Sequence, residues 1–319
     1  MEKEYKTTSP VLIIAFNRAD TVLRVLDRLA KVQPDRLYVA ADGPRLWKDG
    51  ESSKCDAVRH IFDNPMAWPC LVKTLFRTEN LGCAKAVSSA ISWFFEHEPQ
   101  GIILEDDILP NVDFFRFCDE MLNQYKDDQR IQSISGWNYF YHDKPVDYPY
   151  SYYFSRFNSS WGWATWRRAW QTYDPALPKR ISLFRFNSAM KQIHFSLPVR
   201  RFYHTIFHTL RYNHPRNIDT WDYQFCFSGF INQQYVIQPM ANLTENMGFN
   251  RGDGTHTDYI DEYQIQRATD IYPLKHPANM EQALLWTERL DSIRIFEENL
   301  SMRLKTYIHF WIDFIKSWF

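Results

Sequence analysis

This chain of 319 residues is short of several features, and each shortage closes a class of function. No cysteines stand at metal-ligand spacing. The five that exist, Cys55, Cys70, Cys83, Cys118 and Cys226, are odd in number and scattered, with no Cys-x-x-Cys pair. That argues against a zinc site and against a disulfide framework, and it fits a reducing compartment. No run of eighteen apolar residues exists, so no transmembrane helix is expected. Residues 1–8 are charged and polar, with no apolar signal region. Net charge is nearly absent: 37 Lys and Arg face 38 Asp and Glu, for a formal charge of -1. A general nucleic-acid binder would carry a basic excess, so that class is set aside. Internal repeats and low-complexity segments are also missing.

What is present is apolar and aromatic. A hydrophobic content of 45% allows a sizeable core, and the length suits one large α/β domain or two units. Aromatics make up 17% of the chain, with 12 Trp. Such rings are platforms for sugar faces, but they also fill cores.

Short continuous apolar runs at 11–15, 37–41, 71–76, 101–104 and 131–135 read as buried strands. Between them, 19–31, the region of Ala57 to Phe62, 84–98 and 112–125 have helical spacing. Strands alternating with helices on short connections describe a mostly parallel sheet flanked by helices, an α/β fold. Polar residues recur where the strands end: Asn17 and Arg18, Asp42, Arg77, then Glu105-Asp106-Asp107. In open α/β sheets ligands bind at that edge. From Trp137 to Tyr173 aromatics crowd and periodicity fails, so irregular strands and loops are expected there. Residues 181–207 are partly helical in pattern, 235–238 reads as a strand, 248–257 as a glycine-rich lid, and 281–319 as helical.

The acidic triplet carries the sharpest chemistry. Three adjacent carboxylates at a strand end repel one another unless something positive sits among them. A Mn2+ or Mg2+ ion held by one or two carboxylates and by diphosphate oxygens is one solution. A solvated turn leading to a helix that starts at Pro110 is the other. Asp42 reads either as a partner for a uracil imide or as the first residue of the Asp42-Gly43-Pro44 turn. Asp222, in Trp221-Asp222, reads either as an acceptor base or as part of a helix N-terminus capped by Asp219.

Four stretches in order resemble the GT-A-fold glycosyltransferases: Pro10 to Arg18, Ala41-Asp42-Gly43, Leu104 to Ile108, and Ile134 to Asn138. The branch they look most like is N-acetylglucosaminyltransferase I and its bacterial relatives, over roughly residues 9–250. The resemblance implies an inverting transfer from a UDP-sugar to a glycan or lipid-linked glycan acceptor, in bacterial surface-polysaccharide assembly. It implies uridine contacts at Arg18 and Asp42, with Asn17 and Arg77 along the same edge. Asp107 is then the direct metal ligand, Asp106 lies near the ribose or metal, and Glu105 completes the motif. Trp137 and Trp163 fall in matched segments beside the donor sugar. Asp222 becomes the catalytic base, with Asp219 and Glu245 as substitutes to test. Gly252 to Thr257 resembles a glycine-threonine-histidine stretch in the bacterial relatives, and His256 reads as a diphosphate contact, as a neutral imidazole completing the metal shell, or as an ordinary exposed loop histidine. Tyr223 departs from the eukaryotic pattern, which has a second acidic residue there.

The expected organisation is a GT-A domain over 1–280, with a nucleotide half at 1–136 and an acceptor half at 137–280, then a helical tail at 281–319. The apolar face of residues 303–319 suits either peripheral membrane contact or packing on protein, including a second subunit. The expected location is cytoplasmic, peripheral at the inner membrane face. Two other functions were weighed. A sugar-1-phosphate nucleotidyltransferase should carry a glycine-rich phosphate loop, and none follows Ala15. A non-catalytic carbohydrate-binding protein would need neither Asp107 nor a base.

Overall fold

The computed structural model of the chain describes residues 5–138, 147–192, 197–212, 219–248 and 267–296. The first half alternates as its apolar runs dictate: β1 (Val11–Ala15), α1 (Ala19–Leu29), β2 (Arg36–Ala41), α2 (Glu51–His60), β3 (Leu71–Phe76), α3 (Cys83–His97) and β4 (Gln100–Glu105). β1 is apolar throughout because it is covered on both faces and paired on both sides, parallel to β2 and to β4. α1 turns Thr21, Val22, Val25 and Leu29 inward, the three-and-four spacing of an amphipathic helix. Gly101 in β4 is small for a reason. A side chain there would strike the Phe94 ring and the Pro10 carbonyl. Phe94 is fully buried, and truncating it to alanine would cost about 3–5 kcal/mol.

After β4 come β5 (Ile108–Pro110), α4 (Val112–Gln124), β6 (Ile131–Ser135), β7 (Tyr152–Ser155) and β8 (Trp163–Trp166). Then follow α5 (Arg167–Trp170), α6 (Leu183–Gln192), α7 (Leu197–Tyr212), α8 (Asp222–Ile231), β9 (Tyr235–Pro239), β10 (Thr244–Asn246) and α9 (Met280–Phe296). The main sheet has the order β3-β2-β1-β4-β8-β6-β9-β7, and β10 pairs with β5 in a separate antiparallel ribbon. β8 inserts antiparallel between β4 and β6, while β9 runs parallel to β6 and antiparallel to β7.

Helices cover both faces. Val22, Val25, Phe114, Phe117 and Met121 from α1 and α4 pack on one side. Val87, Phe94 and Phe95 from α3, with Trp170, Trp221 and Phe225, pack on the other. The expectation that Pro110 starts a helix is corrected. Pro110 ends β5, and the next residue, Asn111, is the cap, its side chain accepting the Phe114 N–H at 2.8 Å. Asparagine supplies the acceptor that an orphan helix N–H needs, and proline has none to supply.

The aromatic segment around 137–173 yields two four-residue strands, β7 and β8, buried at every position. With both faces covered there is no alternation for periodicity to detect. α9 lies against β7. Buried Asp291 accepts the Ser155 hydroxyl at 2.6 Å and the Arg156 N–H at 2.9 Å, and the Thr287 hydroxyl reaches the Phe154 carbonyl at 2.6 Å. The five cysteines are free thiols. Among the described residues no helix is long and apolar enough to cross a membrane. Residues 303–319, and with them the expected apolar helical face, lie outside the described residues.

Candidate active site at the strand-order reversal

Strand order reverses between β1 and β4, because the chain reaches β3 on one side and then crosses back to the other. A crevice forms at the carboxyl ends of such a pair, where neither following connection covers it. Phe16-Asn17-Arg18 leaves one strand and Glu105-Asp106-Asp107 leaves the other, with Ile14 beside Glu105 in the register. The Phe16 N–H donates to Asp106 at 3.1 Å, and the Arg18 guanidinium donates to Asp107 at 3.0 Å. Arg18, expected at the uridine, and Asp107, expected at a metal, are therefore ion-paired across the crevice.

Glu105, the last residue of β4, directly precedes Asp106 and Asp107. Its carboxyl is pushed well above the usual carboxylate range, first by burial, then by the neighbouring charges of Asp107, Asp106 and Asp222, with Arg18 acting in the opposite direction. Asp222 is more than a hundred residues away in sequence, yet it acts on the same locus. The Cys83 thiol responds to the same cluster. Burial comes first, and Glu105, Asp219 and Asp222 add to it, so that the thiol is pushed up to about 12.

The β10 side closes over Asp107. The Met247 N–H donates to the Asp107 carbonyl at 2.7 Å, and Gly248 faces the Asp107 carboxylate so closely that a Cβ would collide with its Oδ2. Gly248 thus leaves a space at that oxygen that any larger residue would fill. Among the described residues, no group of three or more His, Cys, Asp or Glu side chains is arranged to hold a metal ion. The residues present fit a divalent cation only in the manner of phosphate-bound Mg2+ or Mn2+, where the protein gives one or two carboxylates and the ligand gives the rest.

Further along the edge, Asp42 is buried and both of its oxygens accept the Leu81 N–H, at 3.1 and 2.9 Å. Burial raises its carboxyl, opposed by the Leu81 and Gly43 N–H groups and by Arg77. Gly43 packs directly on the Glu79 backbone, so this turn tolerates no side chain. Arg77 donates to Ser89 at 2.8 Å, and Arg59 reaches the carbonyls of both Asp42 and Arg77. Asn17 donates to Glu51 at 3.1 Å, and Glu51 is clasped by Arg45, whose guanidinium also lies over the Phe16 ring. Arg45, Glu51 and Arg59 were not anticipated. Arg45 and Glu51 lie close in sequence, but only the folded chain brings them to Asn17.

The candidate base is placed by aromatic packing and by a long-range cap. Trp221 stacks on Trp163, with ring centroids 5.3 Å apart and planes at 22°, and α8 begins at the next residue. The Thr220 hydroxyl and the Tyr223 N–H both donate to Asp222 Oδ1. Asp219 does not cap its own helix, as expected from its spacing. Its carboxylate accepts the Cys83 N–H at 3.0 Å and the Ala84 N–H at 3.1 Å, capping α3 instead. The reason is local. α3 starts after Gly82, at φ +77, which has no side chain to satisfy those orphan N–H groups. No sequence spacing could have revealed a cap supplied from 135 residues away.

Trp163 lies in the core against Trp170, Trp221 and Phe225, and Trp137 is buried beside Trp161. Glu245 accepts the Ala268 N–H at 3.0 Å. His256 and the rest of the expected 248–257 lid beyond Gly248 lie outside the described residues.

Comparison with known proteins gives results of unequal weight. The solved structure of S. aureus TarS is 9% identical with a TM-score of 0.37, covering 72% of this chain and 35% of that one. HddC from Yersinia pseudotuberculosis is 16% identical with a TM-score of 0.31, covering 50% of this chain and 78% of that one. Alpha-1,3-mannosyl-glycoprotein 2-beta-N-acetylglucosaminyltransferase of Arabidopsis thaliana is 33% identical over 183 residues. That match covers 53% of this chain, and the chain spans 40% of the length of the relative. The model of the GNT-I family matches residues 1–182, which take in β1, the Asp42 turn, the acidic triplet and Trp163. That span is more than half of the chain and contains both strand ends that meet at the crevice, so the protein belongs to the GNT-I family of GT-A-fold glycosyltransferases.

Proposed function

We propose that this protein transfers a sugar, with inversion and with the help of Mn2+ or Mg2+, from a UDP-sugar to a hydroxyl of a glycan or lipid-linked glycan in polysaccharide assembly. The observation that carries the reading is the meeting of Arg18 with the Glu105–Asp107 triplet at the crevice between β1 and β4, with the start of α8 at Asp222 tied to the same sheet by Trp221 on Trp163 and to α3 by Asp219. Nucleotide diphosphates bind at such a reversal in open α/β sheets. A carboxylate pair beside an arginine suits a diphosphate that must be held and then released.

Inversion is a single in-line displacement at the anomeric carbon. The acceptor oxygen bonds to that carbon as its bond to the diphosphate oxygen breaks. A sugar hydroxyl is a poor nucleophile, so its proton must leave as the bond forms. Asp222 takes it. The Thr220 hydroxyl and the Tyr223 N–H on Oδ1 fix the orientation of that carboxylate. Asp107 and Asp106 would hold such a cation, and Arg18 adds a fixed positive charge at the same crevice. When bound, the cation offsets negative charge on the departing UDP. The stacked, buried indoles of Trp163 and Trp221 hold the start of α8, and with it Asp222, in place. Asp42, Arg77 and Asn17 line the nucleoside end. His256 acts at the diphosphate in this reading.

The test is to incubate the protein with UDP-, GDP- and CDP-sugars and Mn2+, following nucleotide release by mass spectrometry. Cation-dependent release of UDP is expected. No release from any donor, together with no cation-dependent nucleotide binding, overturns the reading.

A further inference from the structure

We propose that the outer face of α6, with the turn before it, is a docking surface for a lipid bilayer that carries anionic headgroups. The first observation is charge segregation. Between Asp174 and Asp219 the chain has eight Lys or Arg and no Asp or Glu, its longest interval without an acid, although the whole chain sums to -1. The rest of the molecule therefore carries the negative excess. Four of these cations, Lys179, Arg180, Arg185 and Lys191, are exposed on or just before α6, while Arg211 donates inward to the Pro178 and Ile181 carbonyls. Such segregation suits a polyanionic partner.

The second observation is what lies among those cations. α6 turns Phe186, Ala189 and Met190 inward against Phe207, Phe227 and Phe230 of α7 and α8. Its opposite face carries Phe184, Asn187 and Lys191, spaced three and four residues apart and all exposed. Phe184 is 84% exposed and its neighbour Leu183 is 54% exposed. Lys179, Arg180 and Arg185 flank this apolar pair, and all three are exposed. A soluble polyanion would be served by the cations alone and gives no reason to present Leu183 and Phe184 to water. A bilayer uses both: hydrocarbon takes the apolar pair at the headgroup boundary, and anionic headgroups meet the cations. α6 packs on α8 through Phe186 and Phe227, and α8 begins at Asp222, so the surface belongs to the same subassembly as the candidate base. The proposal does not rest on the catalytic reading, because it concerns binding alone.

The test is co-sedimentation of the full chain with phosphatidylcholine vesicles, with and without phosphatidylglycerol. Binding at least about tenfold stronger to the anionic vesicles is expected, falling steeply in about 0.5 M salt. Two double variants probe the two components: Lys179→Glu with Arg185→Glu, and Leu183→Ser with Phe184→Ser. Each should weaken binding about tenfold or more while leaving the circular dichroism spectrum unchanged. Arg180 is left alone because it lies 3.4 Å from Asp174. Hydrogen exchange on the unmutated protein supplies a second readout, in which anionic vesicles should protect peptides spanning 179–192. Equal binding to both vesicle types, no binding, variants that bind like the parent, protection confined to other segments, or binding to soluble dextran sulfate but not to vesicles would each overturn the proposal.

Discussion

The two sides of the candidate site are held by different means. On the side proposed for the donor, Arg18 and the acidic triplet leave adjacent parallel strands, and the β1–β4 register sets their separation. On the other side, Asp222 opens a helix whose approach depends on two long-range contacts, Trp221 on Trp163 and Asp219 on the start of α3. A sheet edge is rigid because every strand is bonded to its neighbours. A helix start tied down at two points can be released by one substitution. The donor side should therefore lose ligands when mutated, and the base side should lose geometry or proton transfer while donor binding survives.

The largest effect should come from Asp222→Asn. Removing a general base typically costs about 10²–10⁴-fold in turnover. We expect that loss in kcat, with the affinity for UDP-sugar unchanged by isothermal titration. Lost donor affinity would mean that Asp222 builds the donor side after all, and the contrast between the two sides would fail. Next is Asp107→Asn. It should weaken cation-dependent UDP binding by about 10–100-fold, the usual scale for damage to a metal site. Because Arg18 remains, cation-independent nucleotide binding should persist. If the variant keeps full cation-dependent activity, the metal assignment is wrong.

The same contrast explains what could be read without a structure. The first-half strands were legible to within a residue because runs such as Val11–Ala15 and Leu71–Phe76 are short and bounded by polar strand ends. That the polar strand ends lie along one edge followed, since strand ends in a parallel sheet share it. β5 and β10 were missed. Each is three residues long, and they pair with one another across more than a hundred positions, a contact without a local pattern. β8 was hidden because full burial removes alternation. At the site, Arg18 beside Asp107 and Asp219 on α3 are likewise tertiary facts. Their residue types were visible as candidates, but the partner of each was not.

Asp219→Ala should have a smaller effect and a distinctive one. Loss of a helix cap costs about 1 kcal/mol of stability, measurable as a shift in the denaturant midpoint. If the cap only stabilises α3, kcat and donor affinity stay at wild-type values once the protein is folded. If it also holds the approach to Asp222, kcat falls several-fold while donor affinity is kept, and Asp219→Asn, whose single Oδ1 can accept only one of the Cys83 and Ala84 N–H groups, restores part of it. A fall in donor affinity matching the fall in kcat would contradict the division drawn above.

The smallest effect concerns an acid-sensitive brace on the donor side. Glu51 is buried, accepts Asn17 and is clasped by Arg45. The Arg45 hydrogen bonds are the main cause that lowers its carboxyl from the ordinary value to about 2, against the opposing effect of burial. A depressed folded-state value means that the stabilisation is fully present above the unfolded value of about 4.5. It is lost as pH falls from there towards 2. Because Arg45 is partly exposed, solvent screening reduces the contribution to about 1 kcal/mol. Melting temperature measured between pH 6 and about 3 should therefore fall less steeply in Glu51→Gln than in the parent, and the two should converge at the acid end. In the folded parent Glu51 keeps its charge down to about 2, so Asn17 keeps its partner and UDP affinity should hold across this window. Parallel melting curves for the two proteins would show that Glu51 does not brace this edge, and that the sheet register alone holds the donor side.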